Sequence, residues 1–276
     1  MSLYIASINS GSNGNCYYVG NATEAVLVDA GISCREIERR MKRIGLNIGK
    51  VKALFVSHEH TDHIRGIEVL AKKYHLPVYM TKKTFRNSGL KLDGTLVRFF
   101  DFEAVITIGD LLIRPFSKVH DAIDPCSFLV SGHGVNVGVI TDIGIACENV
   151  KSVFNQCHAV FLEANYDVKM LEEGRYPWHL KNRIRGGRGH ISNDQALELF
   201  TSHRPAHLSH LLLSHLSKEN NDPVLVKELF EACAGPVSII VASRYRESDV
   251  FKVDFTPVAA GTNKGTMAQP VQTTLF

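Results

Sequence analysis

Residues 51–64 read VKALFVSHEHTDHI. The first part is apolar and β-branched, which is how a buried strand reads, and three histidines with two acids crowd into positions 58–63 directly behind it. In α/β folds the carboxyl ends of strands are where binding sites collect. His58 and His60 can share one metal ion from an extended or turning backbone. Asp62 and His63, at the start of a following helix, can reach a second ion beside the first. The helical zinc-protease pattern H-E-x-x-H does not apply, since the fourth residue after His58 is Asp62. The alternative is a polar turn whose histidines cap the next helix, but His and Asp clustered this densely mark a metal site.

On both sides of this stretch the chain alternates strands with helices. Positions 1–30 read as short strands separated by Gly and Asn turns (YIASI, GSNGN, CYYVG, AVLVDAG). A helix is expected over about 34–44, with Ser33 and Glu36 in capping-box spacing and Gly45 as a stop. After the strand 51–58, a helix is expected over 62–75 and a strand over 76–81. Successive strands should fill 95–141, with a hairpin turn at SGHGVN. Beyond Asp142 the order repeats: a helix near 146–156, the strand AVFLEA, a basic helical stretch, and the helix SNDQALELFTSH. Then come the strand HLSHLLLSH, in which His207 and His210 are ordinary residues, a helix started by Pro223, and VSIIVA to close the core.

No linker with a composition shift and no repeat of domain scale interrupts this order, so residues 1–255 are read as one domain of layered sheets flanked by helices. The small, polar segment 256–276 is expected to be a disordered tail. An apolar fraction of 45% supports a substantial core, and a formal charge of +3 is compatible with an anionic partner without marking a polycation. Cys16, Cys34, Cys126, Cys147, Cys157 and Cys233 contain no C-x-x-C pair, so they indicate neither a zinc ribbon nor a disulfide framework. No signal-peptide pattern opens the chain, and no apolar run approaches the roughly 20 residues that span a bilayer, so a soluble cytoplasmic protein without membrane partners is expected.

A two-ion site needs donors from distant segments. His120 after IRPFSKV, Asp142 after VGVIT and His215 after HLLLS each follow an apolar run, as strand-end ligands should. With Asp29 in VLVDAG and the HEHTDH run, these positions resemble the ordered motifs of the metallo-β-lactamase superfamily over nearly the whole chain to about residue 250. That resemblance implies a four-layer αββα sandwich. More narrowly, SGSNGN, HDAIDPCSF, LEANYD, GHISN and HLSKENN resemble the YycJ/WalJ group of DNA-processing exonucleases. Carried over residue by residue, it implies that His58, His60 and His120 hold one ion, that Asp62, His63 and His215 hold the other, and that Asp142 bridges both. Asp29 then orients the histidine loop, as imidazole ligands commonly require.

Two cations roughly 3.5–4 Å apart lower the pKa of a bridging water and stabilise charge on the attacked group, so the implied reaction is hydrolysis by metal-activated hydroxide. The donor set suits zinc or manganese. The catalytic candidates are Asp62 and His190. His190 stands just before a helix that Ser192 or Asn193 should cap, where free amides could seat a phosphate, so it could bind that phosphate or protonate a leaving oxygen. A structural histidine bonded to the loop backbone is the alternative.

The fold does not choose the bond that is cut. Between Glu172 and His190 lie Arg175, Lys181, Arg183, Arg185 and Arg188 with Tyr176 and Trp178 among them, and no acid from 174 to 189. Basic charge interleaved with aromatics suits a single-stranded nucleic acid, whereas the plainer reading is a solvated helical face with Trp178 as its core anchor. Arg183, Arg185, Arg188, Ser192, Ser12 and Asn13 of the glycine-rich loop, and Asn165 of LEANYD are the candidate substrate contacts. The stretch between Asp142 and His215 is too short for an inserted cap domain. The expected protein is therefore a capless metal-dependent phosphodiesterase acting on DNA, with exonuclease action. The competing readings are a small-molecule metallohydrolase for thioesters, lactones or cyclic phosphodiesters, and a metal-binding module without catalysis.

Overall fold

The computed structural model describes residues 2–255, so the tail expected over 256–276 lies outside the described residues. In the N-terminal half, β1 (Ser2–Asn9), β2 (Cys16–Gly20) and β3 (Ala25–Val28) precede α1 (Cys34–Arg43) and β4 (Val51–Phe55). Next come α2 (Thr61–Ile64), α3 (Ile67–Tyr74), β5 (Val78–Met80), α4 (Lys82–Ser88) and β6 (Val97–Phe99). A run of strands follows: β7 (Ile106–Ile108), β8 (Leu111–Ser117), β9 (Cys126–Gly132) and β10 (Val135–Ile140). Then α5 (Glu148–Phe154), β11 (Ala159–Glu163), α6 (Val168–Glu173), α7 (Trp178–Arg185) and α8 (Asn193–His203) lead to β12 (His210–Ser214). The chain ends in α9 (Pro223–Glu231), β13 (Ser238–Val241) and β14 (Phe251–Asp254).

Two seven-stranded sheets result, ordered β14-β1-β2-β3-β4-β5-β6 and β13-β12-β11-β10-β9-β8-β7. Each is mixed: β2 to β3 and β9 to β10 pair antiparallel, while β3 to β4 and β10 to β11 pair parallel. Between the sheets Ile5, Val28 and Phe55 meet Phe128, Val137 and Phe161 in one apolar cluster. A second cluster packs α1 and α3 on the outer face of the first sheet, and a third packs α5, α8 and α9 on the outer face of the other. The expected four-layer αββα order is what forms, with no cap domain between Asp142 and His215.

Three local expectations change. The helix read over 62–75 is two helices, because Gly66 N donates to Ala30 O at 2.7 Å and leaves no room there for a side chain: a Cβ would lie 2.1 Å from Ile32 O. His207 precedes β12 rather than lying within it, in a turn where Leu208 N donates to Pro205 O, and His210 is the strand's first residue. β13 does not complete the core alone, since β14 adds to the edge of the other sheet by pairing antiparallel with β1. The helix α4, absent from the expected order, is signalled by Thr81, whose hydroxyl caps it. Among the described residues no helix is long and apolar enough to cross a membrane.

Candidate active site

Six strands deliver their carboxyl ends to one place. Asp29 follows β3, His58 follows β4, His120 follows β8, Asp142 follows β10, Glu163 closes β11 and His215 follows β12. Asp29, Asp142 and His215 each take a left-handed backbone, with φ of 61°, 55° and 57°. Non-glycine residues avoid that region unless surrounding bonds hold them. Asp29 is so held: its carboxylate accepts from Ser57 N and Ser57 Oγ, both at 2.8 Å, and from His63 Nδ1 at 2.7 Å.

His58, His60 and His120 bring ligand atoms together in one group, and Asp62, His63 and His215 form a second. Asp142 lies between them, 3.3 Å from His63 Nε2 and 3.4 Å from His215 Nε2, with His120 Nε2 at 4.0 Å. The imidazoles are oriented from behind. His120 Nδ1 donates to Gly189 O at 2.9 Å, His58 Nδ1 meets Ser57 Oγ at 2.9 Å, and His215 Nδ1 meets Glu163 Oε1 at 3.0 Å. Each such bond fixes a ring and directs its Nε2 toward the shared space.

Asp142 Oδ2, His120 Nε2 and His215 Nε2 are buried there without a hydrogen-bond partner. Unpartnered buried donors and acceptors are costly, and convergent ones suit a cation. Nitrogen and carboxylate donors in two groups fit divalent transition ions, so the residues present are compatible with the metals the fold class uses.

The two groups differ in protonation. Burial holds His58 well below the usual imidazole pKa and His120 down at about 4, so both are neutral. Burial also opposes charge on His63 and His215, but there Asp142 and neighbouring carboxylates prevail, raising His63 well above its usual value and His215 to about 10. Asp142, despite burial, is held well below the carboxylate range by His215 and His63. Glu163 is likewise lowered to about 2, burial being outweighed by His190 and its hydrogen bonds.

The other sequence candidates are distributed unevenly. His190 is brought in: its Nδ1 lies 2.8 Å from Glu163 Oε1, and its ring lies 5.3 Å from His120 and 5.1 Å from His215. Its side-chain partner is this carboxylate rather than the loop backbone. Asn165 is 4% exposed and donates to His215 O at 2.8 Å, so it braces a site residue instead of facing a substrate. The hydroxyl of Ser192 is committed to the helix, accepting from Gln195 N at 3.1 Å, while Asn193 N donates to Tyr166 O. With those amides taken, the start of α8 is not the open anion seat that its sequence suggests.

Ser12 and Asn13 are exposed, and Asn13 Nδ2 donates to Arg244 O at 3.0 Å. The arginines are partly neutralised by acids from outside their stretch: Arg183 pairs with Asp121 at 2.5 Å and Arg185 with Glu172 at 3.1 Å. Arg188 is exposed. Trp178 is 67% exposed beneath the Arg185 guanidinium and anchors no core. Glu163 and Asn15 were missed. Asn15 Nδ2 lies 3.3 Å from Asp62 Oδ2, and Asn15 N donates to Asp62 O, an approach that needs Gly31, where a Cβ would lie 1.6 Å from the same oxygen.

Two sheets meeting face to face, with six strand ends supplying His and Asp to one buried centre, define a metallo-β-lactamase-type hydrolase. The family description "Metallo-beta-lactamase superfamily" matches residues 10–154, and the chain belongs to that superfamily. The chain is 38% identical over 225 residues to exodeoxyribonuclease YycJ of Bacillus anthracis, covering 80% of this chain and 85% of that one. It is 34% identical over 225 residues to exodeoxyribonuclease WalJ of Streptococcus pneumoniae, covering 80% and 82%. Among solved structures, the metallo-β-lactamase fold protein YhfI from Bacillus subtilis superposes with a TM-score of 0.69 at 14% identity, over 91% of this chain and 100% of that one, which shows the shared fold.

Proposed function

We propose that the protein is a metal-dependent phosphodiesterase that removes nucleotides from DNA ends. The observation that carries this reading is the Glu163–His190 pair beside the two ligand groups, in a chain whose relatives are named exodeoxyribonucleases. In this reading His58, His60 and His120 hold one divalent ion, Asp62, His63 and His215 hold a second, and Asp142 contacts both. Two zinc or manganese ions there would supply Lewis acidity to a phosphoryl oxygen and a nucleophilic oxygen near neutral pH.

The protein's own groups do the rest. Asp62, with 20% of its side chain exposed, takes the proton of the attacking oxygen. His190 stands outside both ligand groups with 19% of its side chain exposed, and Glu163 fixes its ring so that Nε2 can give a proton to the departing sugar oxygen. A phosphodiester needs such a donor because its alkoxide leaves poorly, whereas a thioester's thiolate leaves unprotonated. Arg188 and the Trp178–Arg185 stack offer phosphate contact and base stacking in the segment that leads into His190.

The test is purified protein with Mn²⁺ or Zn²⁺, offered end-labelled single- and double-stranded DNA beside bis-p-nitrophenyl phosphate and a chromogenic thioester. Nucleotides released stepwise from an end are expected. Hydrolysis of the small esters with intact DNA would overturn the reading in favour of a small-molecule hydrolase.

A further inference from the structure

Lys118 is a buried cation without a counter-ion. Its residue is 6% exposed, its Nζ makes one hydrogen bond, to Thr141 O at 2.7 Å, and no carboxylate pairs with it among the described residues. An ammonium has three donors, and lysine is almost never buried without an acid beside it. This one stands two positions before His120, and its hydrogen-bond partner directly precedes Asp142. Its charge acts on both His58 and His120.

Around the other ligand group the charge is opposite. Asp62 belongs to that group, Asp29 takes the Nδ1 proton of His63 at 2.7 Å, and Glu163 meets His215 Nδ1 at 3.0 Å. Asp142 faces both groups but lies nearer the Nε2 atoms of His63 and His215 than that of His120. Three neutral imidazoles beside an ammonium and two imidazoles among carboxylates are unequal hosts for ions of the same charge.

We propose that Lys118 makes the two metal positions unequal, so that the Asp62–His63–His215 position fills first and the His58–His60–His120 position holds a weaker, exchangeable ion. Occupancy of the second position then follows the free concentration of the divalent ion. This rests on the two-ion reading of the site given above. A single charge held within a few ångströms of a divalent ion, at the effective dielectric of a protein interior, is enough to separate the two affinities by at least about tenfold.

Calorimetric titration of the metal-stripped protein with Mn²⁺, repeated with Co²⁺ read by its visible absorption, measures both steps without reference to activity. Two ions per chain are expected, in steps at least about tenfold apart in affinity. Lys118→Gln removes the charge while keeping a donor for Thr141 O, and it should narrow that gap by tightening the weaker step. Lys118→Met, which removes the charge without offering a donor, should do the same if the Gln variant folds poorly by circular dichroism. Equal steps in the native protein, or an unchanged gap in the folded variants, would overturn the proposal and leave the two-ion reading standing. Fewer than two ions at saturation would overturn both.

Discussion

Glu163 Oε1 lies 2.8 Å from His190 Nδ1 at the end of β11, and the same oxygen lies 3.0 Å from His215 Nδ1. Oε2 meanwhile accepts from Ile143 N at 2.9 Å, so the carboxylate cannot turn away. One buried acid thus aligns an imidazole of the proposed ion site and the proposed proton donor. Glu163→Gln should lower metal affinity about 10- to 100-fold, the usual loss when a carboxylate behind a ligating histidine is removed, and should slow turnover as well. His190→Ala should instead leave metal content intact and lower kcat by about 10²–10⁴-fold. Metal content by elemental analysis beside kcat separates the two, and loss of metal in the His190 variant would make that residue a ligand.

Asp29 has no such dual role, and its removal should read out as stability. It accepts three hydrogen bonds in a fully buried site, from Ser57 N, Ser57 Oγ and His63 Nδ1. Asp29→Asn puts a donor where only acceptors serve, and should cost about 1–3 kcal/mol in urea denaturation of the metal-free protein. An unchanged midpoint with unchanged slope would show that the loop does not depend on this carboxylate.

The arginines between α7 and α8 test the nucleic-acid reading. Changing Arg183, Arg185 and Arg188 together to Ala should weaken DNA binding and flatten its salt dependence. The log–log slope should fall by about 0.7–0.9 for every phosphate that these side chains neutralise. Arg183 and Arg185 should contribute less than Arg188, because they must first leave Asp121 and Glu172. Hydrolysis of a small phosphodiester should survive, since side chains spread along the strand do not touch the reacting phosphorus. A salt slope identical to that of the native protein would return these side chains to ordinary surface.

His158, at the start of β11 and so at the opposite end of that strand from Glu163, reports on pH without involving the ion site. Burial first, and the nearby His207 second, lower its pKa to about 4, and its Nδ1 accepts from Asn136 N at 3.1 Å. Because the folded pKa lies below the unfolded one of about 6.5, the unfolded chain binds more protons in between, so this group's contribution is present above about pH 6.5 and is lost as pH falls toward 4. An NMR titration of the His158 ring should show its midpoint near the lower value, and a midpoint at or above 6.5 would contradict the assignment.

Much of the architecture was legible because its signals are local. Apolar runs ending in His or Asp marked the strands whose carboxyl ends converge, and Ser33, Gly45, Ser192 and Pro223 marked helix ends by capping chemistry that needs only near neighbours. The break at Arg65–Gly66 was not legible, since it comes from the segment Ala30–Ile32 packing against Gly66 from another part of the chain. Nor was β14, whose pairing with β1 joins the two ends of the described chain.

At the site the same division holds. By itself the sequence determined which side chains have metal-binding chemistry and that they follow strands, because residue type and periodicity are properties of short stretches. Only the tertiary structure decided that Glu163, the last residue of an apolar strand, aligns two histidines, that Ser192 and Asn165 are committed to the scaffold, and that Lys118 is buried beside one ligand group without an acid. Those facts depend on which segments meet across the two sheets, and on left-handed turns at Asp29, Asp142 and His215 that no glycine announces and that the bonds of the assembled site must hold.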